Sequence, residues 1–191
     1  MNRELAVNQM KSVFTLLSND VEEIRVYGKE NNNGFAQRTL LRTYFAFIEG
    51  MICQLRLVAI ATAKDYPDLF SNKEVILLKE ERYQLSPKGK LETKANFQKN
   101  LPMLLFTINC YTRIHSPDFT VKTDERGWEA LNDYSRIRNN LMHPKSLNDL
   151  ELDGSSLKTS TEAAKWFKST LLDMFAVCAK AEEHNRNKNC R

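Results

Sequence analysis

From residue 36 to 64 the chain runs without a proline, and its apolar side chains return every three or four positions. Leu41, Tyr44, Phe45, Ile48, Met51, Ile52, Leu55 and Val58 fall on one face of a helix and on no face of a strand. A helix of that length extends about 43 Å. Such a stripe needs partners along its whole length, and the remaining sequence supplies them as further helices.

Residues 3 to 28 repeat the pattern with Met10, Val13, Phe14, Leu17, Val21 and Ile24, and "KENNNG" separates this segment from the next. A third stretch, 97 to 115, carries Leu101, Leu104, Leu105, Ile108 and Tyr111, with Pro102 placed in its first turn. A fourth is expected from Thr123 to Met142, with Asp124 and Glu125 at its positive dipole end. Thr159 and Glu162 have capping-box spacing and predict a last helix from there to about 184, with Trp166, Phe167, Leu171, Phe175 and Val177 inside. Between these, "NKEVILLKEE" reads as a short helix and "KSLNDLELDGSSLK" as a polar loop. "RYQLSPKGKLETK" alternates around a Pro-Lys-Gly-Lys turn and reads as a small β-hairpin near 80–94. The expected fold is all-α: one domain over 1–185 built as a bundle of about five helices, with a disordered basic tail at 186–191.

Composition agrees and closes off several function classes. The 6 glycines and 5 prolines are too few for a turn-rich β fold. Cys53, Cys110, Cys178 and Cys190 show no C-x-x-C pair and no histidine at ligand spacing, so free thiols are expected and no metal site or cofactor. The N-terminus lacks an apolar signal core, and Glu49, Gln54 and Arg56 interrupt the most apolar run. These features predict a soluble cytoplasmic protein with no membrane partner. A net charge of +4 points only weakly to a polyanion. Trp128, Trp166 and most phenylalanines recur at core periods, which leaves no evident stacking face for nucleic acid. The lysines of the hairpin stretch read as a solvated face.

One segment, "RNNLMHP" at 138–144, departs from ordinary patterning. With Leu131 at zero on a helical wheel, Ala130, Tyr134, Ile137, Leu141 and Met142 share one face, and Arg138 falls inside it at about 340°. A charge aimed there needs a partner or a use. An ion pair with an acid on a neighbouring helix, a stem that snorkels its head to solvent, and a functional cleft all remain open. Pro144 biases His143 out of helical geometry, so it either caps the last carbonyls or belongs to a site. His115 and His184 have no arginine at the same spacing and read as surface residues.

Arg138, Asn139, the three residues Asn140-Leu141-Met142, and His143 at a helix end resemble the signature of the HEPN superfamily (higher eukaryotes and prokaryotes nucleotide-binding domain). "RTYFAFIEGMICQL" is also similar to the second helix of such domains, with Glu49 in the place of an acidic residue that faces the site. The hairpin is an addition to the minimal domain. The resemblance implies a bundle of four to five helices and metal-independent RNA cleavage. The RNA 2′-hydroxyl attacks the adjacent phosphorus, leaving a 2′,3′-cyclic phosphate and a 5′-hydroxyl. It further implies a homodimer with a composite cleft, His143 as general acid or base, and Arg138 stabilising phosphate charge. Asn139 and Glu49 would be supporting residues. A toxin or antiviral effector with an antitoxin or other regulatory protein fits this picture. Some members have lost catalysis and only bind nucleotide, RNA or a partner protein. "HPKSL" lacks the tyrosine that several toxin members carry after the histidine.

Overall fold

The computed structural model describes residues 2–115 and 118–189. Six α-helices and one two-stranded antiparallel sheet account for the secondary structure among them, apart from two 3-10 turns. The helices are α1 (Arg3–Glu30), α2 (Gly34–Asp65), α3 (Asn72–Leu78), α4 (Asn100–Arg113), α5 (Arg126–Met142) and α6 (Gly154–Asn189). The strands β1 (Glu81–Leu85) and β2 (Leu91–Ala95) lie between α3 and α4.

Local chemistry sets most boundaries. Asn31 turns its side-chain amide onto the Tyr27 carbonyl at the end of α1, and Asn33 accepts the Ala36 N–H at the start of α2. Two asparagines thereby close one helix and open the next. Ser71 and Glu74 form a reciprocal capping box on α3. Pro102 lies in the first turn of α4, where its missing N–H costs no helical bond. In the hairpin, Ser86 pairs with Lys90 across the turn, and Gly89 takes φ +72, a conformation glycine adopts without penalty.

Several boundaries differ from the sequence expectation. α5 begins at Arg126, three residues after Thr123, and its flanking Glu125 makes no side-chain cap. α6 begins at Gly154 because Asp153 accepts the Ser156 N–H at 2.7 Å. Thr159 and Glu162 therefore lie inside the helix, and their capping-box spacing is incidental. The same helix continues to Asn189, so residues 186–189 of the expected tail are helical, while Cys190 and Arg191 lie outside the described residues. The polar loop after α5 holds a 3-10 turn, Leu147–Leu150, capped by Ser146 and Asp149. Not every aromatic is inside: Phe35 and Phe97 are exposed.

The chain forms two compact units. One comprises Met1–Met10, Ile52–Phe119 and Cys178–Arg191; the other comprises Lys11–Met51 and Thr120–Val177. In the first, Ala59, Phe70, Leu78 and Cys110 form a buried cluster, and the hairpin is attached here. His115, expected at the surface, is instead half-buried in this unit, its side chain 8% exposed and its Nδ1 at 3.0 Å from Glu182, which also pairs with Arg3. In the second unit, Phe14 meets Phe175 and Phe47 meets Phe167 edge to face, while Phe14 and Phe47 are tilted at 59°, with ring centroids 5.8–6.3 Å apart. Leu41, Leu131, Tyr134, Leu171 and Met174 complete that core.

α2 is long and apolar enough to cross a membrane by length and composition. In the structure, 61% of its apolar window is buried, and Leu55, Val58 and Ala59 have no exposed surface. It is the helix both cores are built on, as its stripe predicts.

Candidate functional site

All four residues singled out in the sequence lie in the second unit. Along α5, Ala130, Leu131, Tyr134 and Leu141 are buried, Ile137 is half-buried, and Met142 is 46% exposed. The buried face runs from Ala130 and Leu141 through Tyr134 to Leu131, and Arg138 falls inside that arc, on its Leu131 flank. The arginine side chain retains 21% of its exposure.

That flank is a built environment. Arg138 Nη2 donates to both carboxylate oxygens of Glu49 at 3.2 Å. Its Nη1 donates to Asn139 Oδ1, also at 3.2 Å. The guanidinium carbon stands 4.8 Å from the centroid of the Phe45 ring, a cation–π contact worth about 1 kcal/mol when partly desolvated. Phe45 and Glu49 are four residues apart on α2, so one face of that helix supplies both the platform and the counter-charge. Beneath them, the buried Tyr134 hydroxyl donates to the Leu41 carbonyl. Burial holds its phenol well above the ordinary tyrosine range, so it remains a neutral donor.

His143 sits one step beyond. It is the C-cap of α5, with φ −132 and ψ 58, and its backbone N–H reaches the Asn139 carbonyl at 3.0 Å. The residue is exposed. Among the described residues, no hydrogen bond or ion pair engages its imidazole. Arg138, Glu49 and Asn139 are therefore brought together, while the His143 ring stands apart from that cluster in solvent.

The loop that follows is tied down. Asp149 accepts the backbone N–H groups of Lys145 and Ser146, each at 2.9 Å. These bonds hold the Asp149 carboxyl below its ordinary range. Two arginines of α2 reach across to the same segment. Arg42 Nη2 donates to the Leu141 carbonyl at 3.0 Å, and Arg38 Nη1 to the Leu150 carbonyl at 3.4 Å. The sequence reading passed over both, because a surface arginine looks unexceptional. A signal was present: Arg38, Arg42, Phe45 and Glu49 fall at i, i+4, i+7 and i+11, within about 60° of one another around α2.

Chemically, the group offers a half-buried, oriented cation, a side-chain amide, and an exposed imidazole, the side-chain type most used for proton transfer near neutrality. Among the described residues, no three His, Cys, Asp or Glu side chains cluster so as to hold a metal ion. The thiols of Cys53, Cys110 and Cys178 are free, and burial pushes those of Cys110 and Cys178 up to about 11. No family model matches the sequence, and no curated protein or solved structure matches it.

Proposed function

We propose that this protein is a cytoplasmic, metal-independent endoribonuclease of HEPN type, acting as a toxin or defence effector. The observation that carries the reading is the pairing of a half-buried arginine, clamped by Glu49 and Phe45, with an exposed histidine at the end of the same helix. A solvated structural histidine needs no such neighbour, and an arginine used only for packing needs no open imidazole beyond it.

In this reading the 2′-hydroxyl of RNA attacks its own phosphorus. The P–O5′ bond breaks, and the products are a 2′,3′-cyclic phosphate and a 5′-hydroxyl. His143 removes the 2′-hydroxyl proton or protonates the departing 5′-oxygen, a contribution of roughly 10²–10⁴ in rate. Arg138 stabilises the charge that grows on the phosphoryl oxygens. Asn139 and Glu49 keep the guanidinium in place. A second copy of the chain provides a second Arg138–His143 pair, and the working site is the cleft between the two. An antitoxin or other regulatory protein would act by covering His143.

The test is cleavage of single-stranded RNA by purified protein in EDTA, with products bearing a 2′,3′-cyclic phosphate. His143→Ala is expected to abolish cleavage and leave the melting temperature unchanged. Undiminished cleavage by that variant, or a strict need for a divalent metal, rejects the assignment.

A second reading is favoured by one observation: Glu49 already neutralises Arg138. In a non-catalytic module that binds nucleotide or RNA, or a partner protein, that ion pair is structural. RNA binding without cleavage selects it.

A further inference from the structure

Arg138 and Arg42 present their charges differently, and the difference identifies which of them meets an anion first. Arg138 faces both oxygens of a carboxylate. An arriving phosphate therefore meets a cation whose field is largely cancelled. Arg42 is exposed, and it donates to the neutral carbonyl of Leu141. Among the described residues, no carboxylate pairs with it. A guanidinium has five N–H donors in a planar fork, and the carbonyl engages one of its nitrogens. The rest of the fork and the full charge remain unmatched.

Its place is also specific. Leu141 is two residues before His143, so Arg42 stands at the end of α5 from which the histidine projects. Arg38 and Asp149 hold the following segment, so the loop's backbone stays tied whether or not Arg42 is bound by an anion.

We infer that Arg42 is a substrate-binding residue that takes the phosphodiester anion at the His143 end of the site, ahead of Arg138. This rests on the ribonuclease reading for the identity of the strand, although the anion chemistry stands independently. Arg42 supplies initial capture of the backbone; Arg138 acts as the transition state gathers charge, when the phosphate competes better with Glu49.

The probe is a fluorescent single-stranded oligoribonucleotide with 2′-O-methyl groups, which binds but has no 2′-hydroxyl to attack. Affinity is measured by anisotropy from about 50 to 200 mM salt, where each phosphate contact contributes about 0.7 to the slope of log K against log salt. Arg42→Gln, which keeps a donor for the Leu141 carbonyl and removes the charge, is expected to weaken binding several-fold and flatten the slope by about 0.7 per site. Arg42→Lys is expected to retain the slope, and Arg138→Gln to change it less than Arg42→Gln does. Unchanged affinity and slope in Arg42→Gln overturn the proposal, as does a larger effect from Arg138→Gln or no binding by the parent protein. Cleavage of unmodified RNA is scored separately. If the parent protein binds without cleaving and the Arg42 effect persists, the anion site stands and the ribonuclease reading falls.

Discussion

α2 carries an ion pair in each compact unit, and the two pairs look alike until their surroundings are considered. In one, Arg56 pairs with Glu80, whose side chains are 18% and 17% exposed. In the other, Glu49 pairs with Arg138, at 40% and 21%. Glu80 has φ +52 and sits two residues past the end of α3, where a left-handed residue lets the helix stop. Its carbonyl and carboxylate also accept the backbone N–H groups of Asn96 and Gln98, which binds the hairpin's far end to its base. The bonds of Glu80 there serve the chain's own backbone, and the one group left over, the Arg56 Nε, is buried out of reach of any ligand. Around Arg138 the accounting does not close: an exposed imidazole at the end of the same helix and an exposed arginine on α2 have capacity unused. An ion pair is therefore weak evidence of function by itself. Exposed groups left unmatched in the same unit are better evidence.

The comparison breaks most readily at Arg56. Arg56→Met leaves a largely buried carboxylate without its counter-charge, and a loss of about 3 kcal/mol is expected. For a chain of this size the melting temperature falls by roughly 6–12 °C. RNA affinity is expected to stay unchanged. Adding Glu80→Gly restores part of the loss, because glycine accepts φ +52 freely and no orphaned charge remains. If Arg56→Met instead alters RNA binding at preserved stability, the division between a structural and a functional pair is mistaken.

A smaller effect, of different character, is expected at the other pair. Glu49 is 40% exposed, and the stability lost in Glu49→Gln should not exceed about 1 kcal/mol. Removing its charge unmasks Arg138, so affinity for the uncleavable oligonucleotide should rise and the salt dependence should steepen. Turnover of RNA should fall, because the guanidinium loses the partner that aims it. Titrations and single-turnover rates on the same preparation check both halves. Weaker binding in Glu49→Gln would mean that the carboxylate does not screen Arg138.

What the sequence made legible follows from which interactions are local. Periodic apolar faces and the Pro-Lys-Gly-Lys turn depend on residues close in the chain, and each appears where its pattern lies. The start of α6 was misread because two capping signals compete within ten residues, and Asp153 wins with a 2.7 Å bond. Arg138 was legible as an anomaly, since a wheel needs only its own helix. Arg42 was not, because its bond reaches 99 residues along the chain to a backbone carbonyl that no side-chain pattern marks. His115 was misjudged for the same reason: its burial is set by Glu182 and Arg3, each far away in sequence.

His115 supplies the smallest test, and it separates the histidines as the ion pairs were separated. Burial lowers its pKa, outweighing the favourable field and hydrogen bond of Glu182, while Arg3 pushes in the same direction as burial. Tyr111, whose ring lies 5.3 Å away, is kept neutral by its own burial. The unfolded chain takes up a proton at His115 near pH 6.5, whereas the folded chain resists until lower pH. Stability from this group is thus fully present above pH 6.5 and declines as pH falls from there toward the depressed folded value. Urea midpoints measured at pH 7.5 and pH 5 should differ in the parent protein, and His115→Gln should narrow that difference. Cleavage is expected to divide the two histidines the other way: His143→Gln abolishes it, and His115→Gln leaves its pH profile unchanged. A cleavage profile that shifts with His115→Gln would show that the buried histidine is coupled to the chemistry, and the assignment of one structural and one reactive histidine would fail.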